Sequence, residues 1–167
     1  MWENRDVSSY LCSDQISPLP DGDRQDQPML SLNHSYICLQ ILNQLIANEN
    51  IEPLPKLMLD IANRLTPDIL IFPKNKIQPN PFHDISRYQD RPVLAVEVVL
   101  SSQTIQEMLQ KALQLVNEGV KVVWTVEPYR RTVFVATQAK ETLFHEELIE
   151  NESIQVDFAK VFPKRIN

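Results

Sequence analysis

Glycine is scarce in this chain of 167 residues, with only Gly22 and Gly119 present. Phosphate-binding loops of the P-loop or Rossmann type need several glycines close together, so that the backbone can approach the phosphate groups. The absence of such a glycine cluster excludes the P-loop and Rossmann classes of nucleotide-binding protein. Gly22 is accounted for by a turn, and Gly119 by the end of a helix.

Cysteines and long apolar runs are also scarce. The cysteines are Cys12 and Cys38, without CxxC spacing, which argues against a disulfide framework or a structural zinc site and favours a reduced, intracellular protein. No apolar stretch approaches the ~20 residues needed to cross a bilayer. Residues 1–5 lead into polar sequence and not into an apolar signal segment. We therefore expect a cytoplasmic protein without a membrane segment.

The charge balance is acidic, with a net charge of −6. A chain of this charge is not an obvious nucleic-acid binder, because its overall field repels phosphate. Binding of phosphate would have to come from a local basic patch or from bound cations.

The order of polar and apolar residues predicts one α/β domain preceded by an arm. Residues 1–30 are polar and predict a loosely ordered N-terminal arm, and residues 31–167 predict a single domain with a mixed central sheet flanked by helices. The predicted elements are a helix from an N-cap at Asn33 to about residue 48–50, strands at 57–61 and 67–72, a surface loop at 73–91, a strand at 92–100, a helix from an N-cap at Thr104 to Gly119, strands at 120–126 and 132–136, and short strands near Leu143 and at 154–158.

One acidic residue, Glu97, lies inside the most apolar predicted strand. Burying an ionised carboxylate without a partner costs several kcal/mol, so a cation, a basic side chain or an open cleft must compensate for it. The alternative is a strand end at which Glu97 is simply solvated. Asp68 opens the other strongly apolar strand, and acidic residues on neighbouring strands can converge on a hard cation such as Mg²⁺. A solvent-exposed strand start is the alternative for Asp68.

These residues occur in an order that resembles the PD-(D/E)XK nuclease superfamily and, more narrowly, the Uma-two (Uma2) family of restriction endonuclease-like proteins. The resemblance covers about residues 34–135. It rests on Pro67-Asp68, on the run Ala95-Val-Glu97-Val-Val-Leu-Ser101-Ser-Gln-Thr104, and on Glu107, Lys111, Gly119-Val120 and Trp124.

The resemblance implies a metal-dependent endonuclease that hydrolyses phosphodiester bonds, in DNA more than in RNA. It implies that Asp68 and Glu97 bind Mg²⁺ or Mn²⁺ and that both act in catalysis together with Lys111. The superfamily places a lysine two residues after the glutamate, where this chain has Val99. Lys111 on the following helix matches the family's usual replacement, although it also has the spacing for an ion pair with Glu107. A homodimer is expected because such nucleases are commonly dimers.

Two other functions stay open. The departures at Val99 and at Leu115, where relatives often have a tyrosine, favour the first, and the absence of a broad basic stripe is the support for the second. One is a catalytically inactive nuclease-fold protein that serves as a nucleic-acid or protein interaction module. The other is a hydrolase acting on a small phosphorylated substrate.

Several further residues are candidates for contact with a substrate. His34 matches a histidine common at the start of the family's first helix, although a capping or packing role explains it equally well. Arg130 and Arg131, with Tyr129, lie at a predicted hairpin tip that could contact a phosphate backbone; a solvated turn is the alternative. His83 and Asp84 could bind a metal, but a solvated loop is the simpler interpretation of that stretch.

Overall fold

A computed structural model describes residues 30–61 and 64–165. The predicted N-terminal arm lies almost entirely outside these residues. The helices are α1 (Leu32–Leu45) and α2 (Ile105–Asn117), and the strands are β1 (Ile51–Pro55), β2 (Ile69–Pro73), β3 (Leu94–Val98), β4 (Val122–Glu127), β5 (Thr132–Thr137), β6 (Glu141–Phe144), β7 (Leu148–Asn151) and β8 (Ile154–Asp157). Within the described ranges, neither helix is long and apolar enough to span a membrane.

The main sheet has six strands in the order β1-β2-β3-β4-β5-β6. Only the β3–β4 pair is parallel, and the other neighbours are antiparallel. The parallel pair needs a crossover connection, which α2 provides. The β7–β8 hairpin forms a separate two-stranded sheet. The predicted fold class, a mixed sheet flanked by helices, is confirmed.

The side chains of the central strands alternate between two apolar cores. On one face, residues such as Leu94 and Val96 pack with α1 and with the β7–β8 hairpin. On the other face, residues such as Leu70 and Ala95 pack with α2. Because both faces are covered, the central strands are mostly apolar, as a buried sheet requires, with Glu97 in β3 and Thr125 in β4 as buried exceptions.

The predicted caps of α2 are confirmed. The Thr104 hydroxyl accepts a hydrogen bond from the backbone N–H of Glu107, and the Glu107 carboxylate accepts one from the backbone N–H of Thr104. Gly119 follows the helix with φ of +104°, a conformation that favours glycine. The buried stripe runs through Met108, Ala112, Leu115 and Val116, whereas Leu113 is exposed.

The strand predicted at 57–61 is wrong, because the strand before β2 is β1 at Ile51–Pro55. β1 contains Pro53 and Pro55, and a proline disfavours a strand because it cannot donate a hydrogen bond to the neighbouring strand. β1 lies at the edge of the sheet, however, where a residue without an N–H is tolerated. The apolar character of 57–61 has another cause, since Leu59 and Ile61 are buried in the core beside α2.

Two smaller corrections concern the first helix and the end of the chain. The N-cap of α1 is Ser31 and not Asn33, because the Ser31 hydroxyl accepts a hydrogen bond from the backbone N–H of His34. The helix ends at Leu45, before the predicted 48–50. The short strands predicted near Leu143 and at 154–158 correspond to β6 and β8.

Candidate active site

The antiparallel register of β2 and β3 brings the two acidic residues together. Ile69 is paired with Val96, so Asp68, at the start of β2, lies opposite Glu97, near the end of β3. Both side chains are almost fully buried, with 5% of Asp68 and 3% of Glu97 exposed. They project toward the α2 side of the sheet, because strand residues two apart share a face and Ala95 packs there.

Asp68 is held by donors on both carboxylate oxygens. His34 Nε2 lies 3.0 Å from Oδ1, and the Lys56 ammonium also contacts Oδ1. The backbone N–H of Val98 donates to Oδ2 at 2.7 Å. Burial alone would raise the pKa of Asp68, but the hydrogen bonds from His34, Lys56 and Val98 outweigh it and lower that pKa below its usual value. Asp68 is therefore ionised at neutral pH.

Glu97 has a poorer set of partners. Lys111 Nζ lies 2.5 Å from Oε1 and forms an ion pair with the carboxylate. Burial raises the pKa of Glu97 to about 7; Lys111 offsets part of this rise and the charge of Asp68 adds to it. Glu97 is thus a buried carboxylate whose burial is only partly compensated by Lys111.

Lys111 comes from the middle of α2 and contacts Glu97, not Glu107. The Glu107 carboxylate is occupied by the Thr104 backbone and hydroxyl in the capping box. The side chain of Lys111 is 24% exposed, so its stem is largely covered while its ammonium reaches the carboxylate. The structure therefore brings Asp68, Glu97 and Lys111 together in the lining of one cavity.

His34 lies on the first turn of α1 and is 3% exposed. Its Nε2 faces Asp68, and its Nδ1 lies 3.9 Å from the Cys38 sulfur one helical turn away. Burial, with the nearby charge of Asp68, raises the pKa of the Cys38 thiol to about 12. Cys38 is therefore a neutral thiol at physiological pH and not a thiolate nucleophile.

An open cavity of about 740 Å³ lies over these residues. Its charged lining consists of three cations, Lys56, Arg64 and Lys111, and two carboxylates, Asp68 and Glu97. The cavity is locally cationic although the whole chain carries −6.

Sequence reasoning missed Lys56 and Arg64 as members of this site. Both have backbone φ in the left-handed region, 55° and 49°, just outside regular elements. Lysine and arginine at such positions have no sequence signature, so only the tertiary structure shows that they face the acidic pair.

The other predicted contact residues lie outside the cavity lining. Arg130 is exposed on the β4–β5 turn, where its backbone N–H donates to the Glu127 carboxylate at 2.7 Å. The Arg131 guanidinium pairs with the Glu146 carboxylate and stacks over Phe162 at 5.3 Å. His83 and Asp84 are exposed, and among the described residues they belong to no cluster with metal-binding spacing.

Comparison with known proteins identifies the family and a similar fold. The family model Uma2, described as "Putative restriction endonuclease", matches residues 10–163. The chain therefore belongs to the Uma2 family, as its motifs indicated. Its fold also resembles the crystal structure of "a putative nuclease belonging to DUF820 from Anabaena variabilis ATCC 29413", with a TM-score of 0.68 and 20% identity, over 81% of this chain and 83% of the other. No curated protein gave a significant match.

Proposed function

We propose that this protein is a metal-dependent endonuclease that hydrolyses phosphodiester bonds in DNA. The observation that carries the proposal is the meeting of Asp68, Glu97 and Lys111 in one cationic cavity, where Lys111 compensates only part of the cost of burying the Glu97 carboxylate. Membership of a family described as restriction endonucleases supports this chemistry.

The carboxylates suit a hard divalent cation. Mg²⁺ and Mn²⁺ prefer oxygen ligands and are commonly bound by one or two carboxylates together with water and substrate phosphate. The carboxylates of Asp68 and Glu97 would hold the ion. Lys56 contacts the first of these carboxylates and Lys111 the second. When bound, such an ion polarises the phosphate and lowers the pKa of a coordinated water.

Lys111 takes the place of the lysine that the superfamily motif puts at Val99. Val99 is apolar and 5% exposed, so it has no part in proton transfer or charge stabilisation. The ammonium of Lys111 lies beside Glu97, where it can orient the attacking water and stabilise the negative charge that develops on the phosphate. His34 holds Asp68 in position through its Nε2–H.

The remaining cations of the cavity fit a phosphate-bearing substrate. Lys56 is 48% exposed at its side chain, so its ammonium can leave Asp68 and reach a phosphate oxygen. Arg64 is exposed on the same rim. We extend the proposal to DNA as the substrate in preference to RNA, to action as a homodimer and to a location in the cytoplasm.

Titration with Mn²⁺, followed by calorimetry, tests the metal site without knowledge of the substrate. We expect wild type to bind, and Asp68→Asn and Glu97→Gln each to lose binding. Glu150→Gln removes an acidic charge from an exposed position on β7 and should bind like wild type. Mn²⁺ binding that is unchanged in both Asp68→Asn and Glu97→Gln would refute the assignment of these ligands.

Cleavage assays on long DNA and RNA of mixed sequence then test the activity. We expect Mn²⁺-dependent cleavage of DNA that Lys111→Met lowers by about 10²-fold or more, because the variant removes a charge that stabilises the transition state. Mn²⁺ binding by Lys111→Met should persist. A protein that binds Mn²⁺ and DNA but cleaves neither nucleic acid would instead be an inactive interaction module.

A further inference from the structure

A row of exposed, mostly apolar side chains runs along the outside of α1. Its members are separated alternately by four and three residues, a spacing that keeps them on one side of a helix. This outer stripe consists of Leu32, Tyr36, Leu39, Asn43 and Ile46. Its four apolar members are between 41% and 84% exposed. Asn43, its polar member, is exposed as well.

The outer stripe lies on the far side of α1 from the residues that hold the helix on the sheet. Ile37 and Ile41 are buried in the core, and each is two positions, about 200° of helical rotation, from Leu39. The outer side of a helix that packs by one face is normally charged. Residues 30–48 nevertheless contain no Asp, Glu, Lys or Arg, although 23% of the chain is charged. The helix therefore has the composition expected when a partner covers its outer side.

The spacing and the charge of the outer stripe both favour a second copy of this chain as the partner. Alternate steps of four and three residues are those of the contact positions in two-helix coiled coils, where a single asparagine sets the register. Because each copy carries a net charge of −6, two copies repel each other over much of their surfaces. The uncharged outer stripe is a surface on which they can meet without that repulsion.

The β7–β8 hairpin extends this surface beyond the helix. α1 has 14 residues and is about 21 Å long, which is small beside the ~800 Å² that each partner buries in a stable interface. The side chain of Gln44 joins the helix to β8 through two hydrogen bonds with the backbone of Asp157, of 2.8 and 3.1 Å. Leu148 on β7 is paired with Asp157 and is exposed. Its neighbour Ile149 packs in the core under α1, so Leu148 points outward, as the outer stripe does.

We propose that the outer stripe of α1, together with Leu148, is the surface on which two copies of this chain form a two-fold symmetric dimer. Leu39 is the middle residue of the stripe. It therefore meets its own copy across the two-fold axis, whether the two helices run parallel or antiparallel. This inference identifies the contact surface of the homodimer included in the proposed function and rests on that part of it. It requires neither metal binding nor cleavage of DNA.

Sedimentation velocity of the metal-free protein over a range of concentrations tests the surface. We expect wild type to form a reversible dimer, and Leu39→Glu to raise the dimer Kd by about 30-fold or more, the loss typical of a central interface residue. Glutamate is a good helix former, so the variant should keep the circular dichroism spectrum of wild type. Leu143→Glu is the matched control. Leu143 is exposed to a similar degree, 48% against 52% for Leu39, but lies on β6, and its variant should dimerise as wild type does.

A charge exchange at the same position tests whether the partner is a second copy. Leu39→Lys alone should be as weak a dimer as Leu39→Glu, because like charges then meet at the axis. An equal mixture of the two variants should dimerise at least 10-fold more tightly than either alone, since each pair then joins opposite charges. A mixture that dimerises no better than its components would overturn the contact of Leu39 with its own copy.

The outcomes for wild type separate this proposal from the proposed function. A wild-type protein that stays monomeric at every concentration would overturn both the contact surface and the homodimer, and would leave the metal site and the cleavage reaction untouched. A wild-type dimer that persists unchanged in Leu39→Glu would overturn the contact surface alone. A dimer lost in Leu143→Glu but kept in Leu39→Glu would likewise overturn it, and would place the contact at the β6 edge of the sheet.

Discussion

Glu97 shows how one side chain can oppose folding and still be useful. Its carboxyl group is buried beside Asp68, and a lysine offsets only part of the cost, so its pKa rises to about 7. A cation bound at Asp68 and Glu97 would compensate this cost. The same burial therefore makes Glu97 a source of instability in the metal-free protein and a strong candidate ligand.

The pH dependence of stability tests this account of Glu97. The ordinary pKa is 4.5 and the folded value is about 7, so between these values the folded protein keeps a proton that the unfolded chain has released. The contribution of Glu97 to the free energy of unfolding is therefore full at low pH and is lost as pH rises toward 7, by on the order of 3 kcal/mol. Asp68 has the opposite effect. Because its pKa is lowered from the ordinary value of 3.8, its carboxylate stabilises the folded protein at pH values above 3.8, and this contribution is lost as the pH falls.

Urea unfolding of metal-free protein at a series of pH values measures this effect. In Glu97→Gln, the free energy of unfolding should lack the contribution of Glu97 that declines between pH 4.5 and 7. This variant should be more stable than wild type at pH 8. Glu150→Gln, exposed on β7, should decline as wild type does. If Glu97→Gln declines just as steeply, the carboxyl group titrates normally and this account fails.

Thr125 is a second buried polar residue at the site, and it gives a separate prediction. It lies opposite Glu97 in the parallel register of β3 and β4, and its hydroxyl is buried without a hydrogen-bond partner among the described residues. An unmatched buried hydroxyl costs about 1–3 kcal/mol, and valine has nearly the same shape. Thr125→Val should therefore leave the free energy of unfolding unchanged or raise it by about 1 kcal/mol.

Urea unfolding of metal-free protein at pH 6 tests the Thr125 substitution, with Thr142→Val at a half-buried position on β6 as the control. At this pH Glu97 is largely protonated. A loss of more than about 1 kcal/mol in Thr125→Val would show that the hydroxyl has a partner, for which the protonated Glu97 carboxyl group is the first candidate.

At the scale of elements, α2 matters because it carries Lys111 to the acidic pair. Its start is fixed by the capping box of Thr104 and Glu107. Thr104→Ala should lower the free energy of unfolding by about 1 kcal/mol, because two backbone N–H groups lose or weaken their partners. Thr104→Ser should restore most of the loss.

Urea unfolding of the Thr104 variants beside Ser102→Ala provides the comparison. Ser102 is exposed in the preceding turn and does not cap the helix. Equal losses in Thr104→Ala and Ser102→Ala would mean that the turn as a whole, and not the capping box, stabilises the start of α2.

For the whole molecule, the central question is how a chain of net charge −6 could bind nucleic acid. The net negative charge repels the phosphates of nucleic acid at long range. Binding therefore has to depend on the cations of the cavity, which act at short range. Lys56→Gln should therefore weaken DNA binding. It should also reduce the slope of the logarithm of the binding constant, plotted against the logarithm of the salt concentration, by about 1, the change expected for one lost phosphate contact.

Fluorescence anisotropy with labelled DNA in Ca²⁺, at several salt concentrations, measures this dependence. Lys140→Gln removes an exposed lysine outside the cavity and serves as the control. Equal slopes for wild type and Lys56→Gln would place the phosphate contacts elsewhere on the molecule, with the exposed Arg130 the next candidate to test.

Much of the fold could be predicted because strong local patterns coincide with tertiary burial. The unbroken apolar runs around Leu70 and Val96 are strands covered on both faces, and the caps of α2 follow from Thr104 and Gly119. The edge strand β1 could not be predicted in this way. Its prolines normally argue against a strand, and only its place at the edge of the sheet makes them acceptable.

The sequence by itself determined the two acidic strand residues, the helix that follows them and the family to which the chain belongs, because these depend on residue types at short spacing. It left open whether the acids are buried or solvated, which the tertiary structure decided. Only the tertiary structure decided which basic groups meet those acids. Lys56 and His34 reach Asp68 from separate elements, and Lys111 turns to Glu97 and not to Glu107. These contacts depend on strand register and on the packing of α1 and α2 against the sheet, which residue spacing along the chain does not specify.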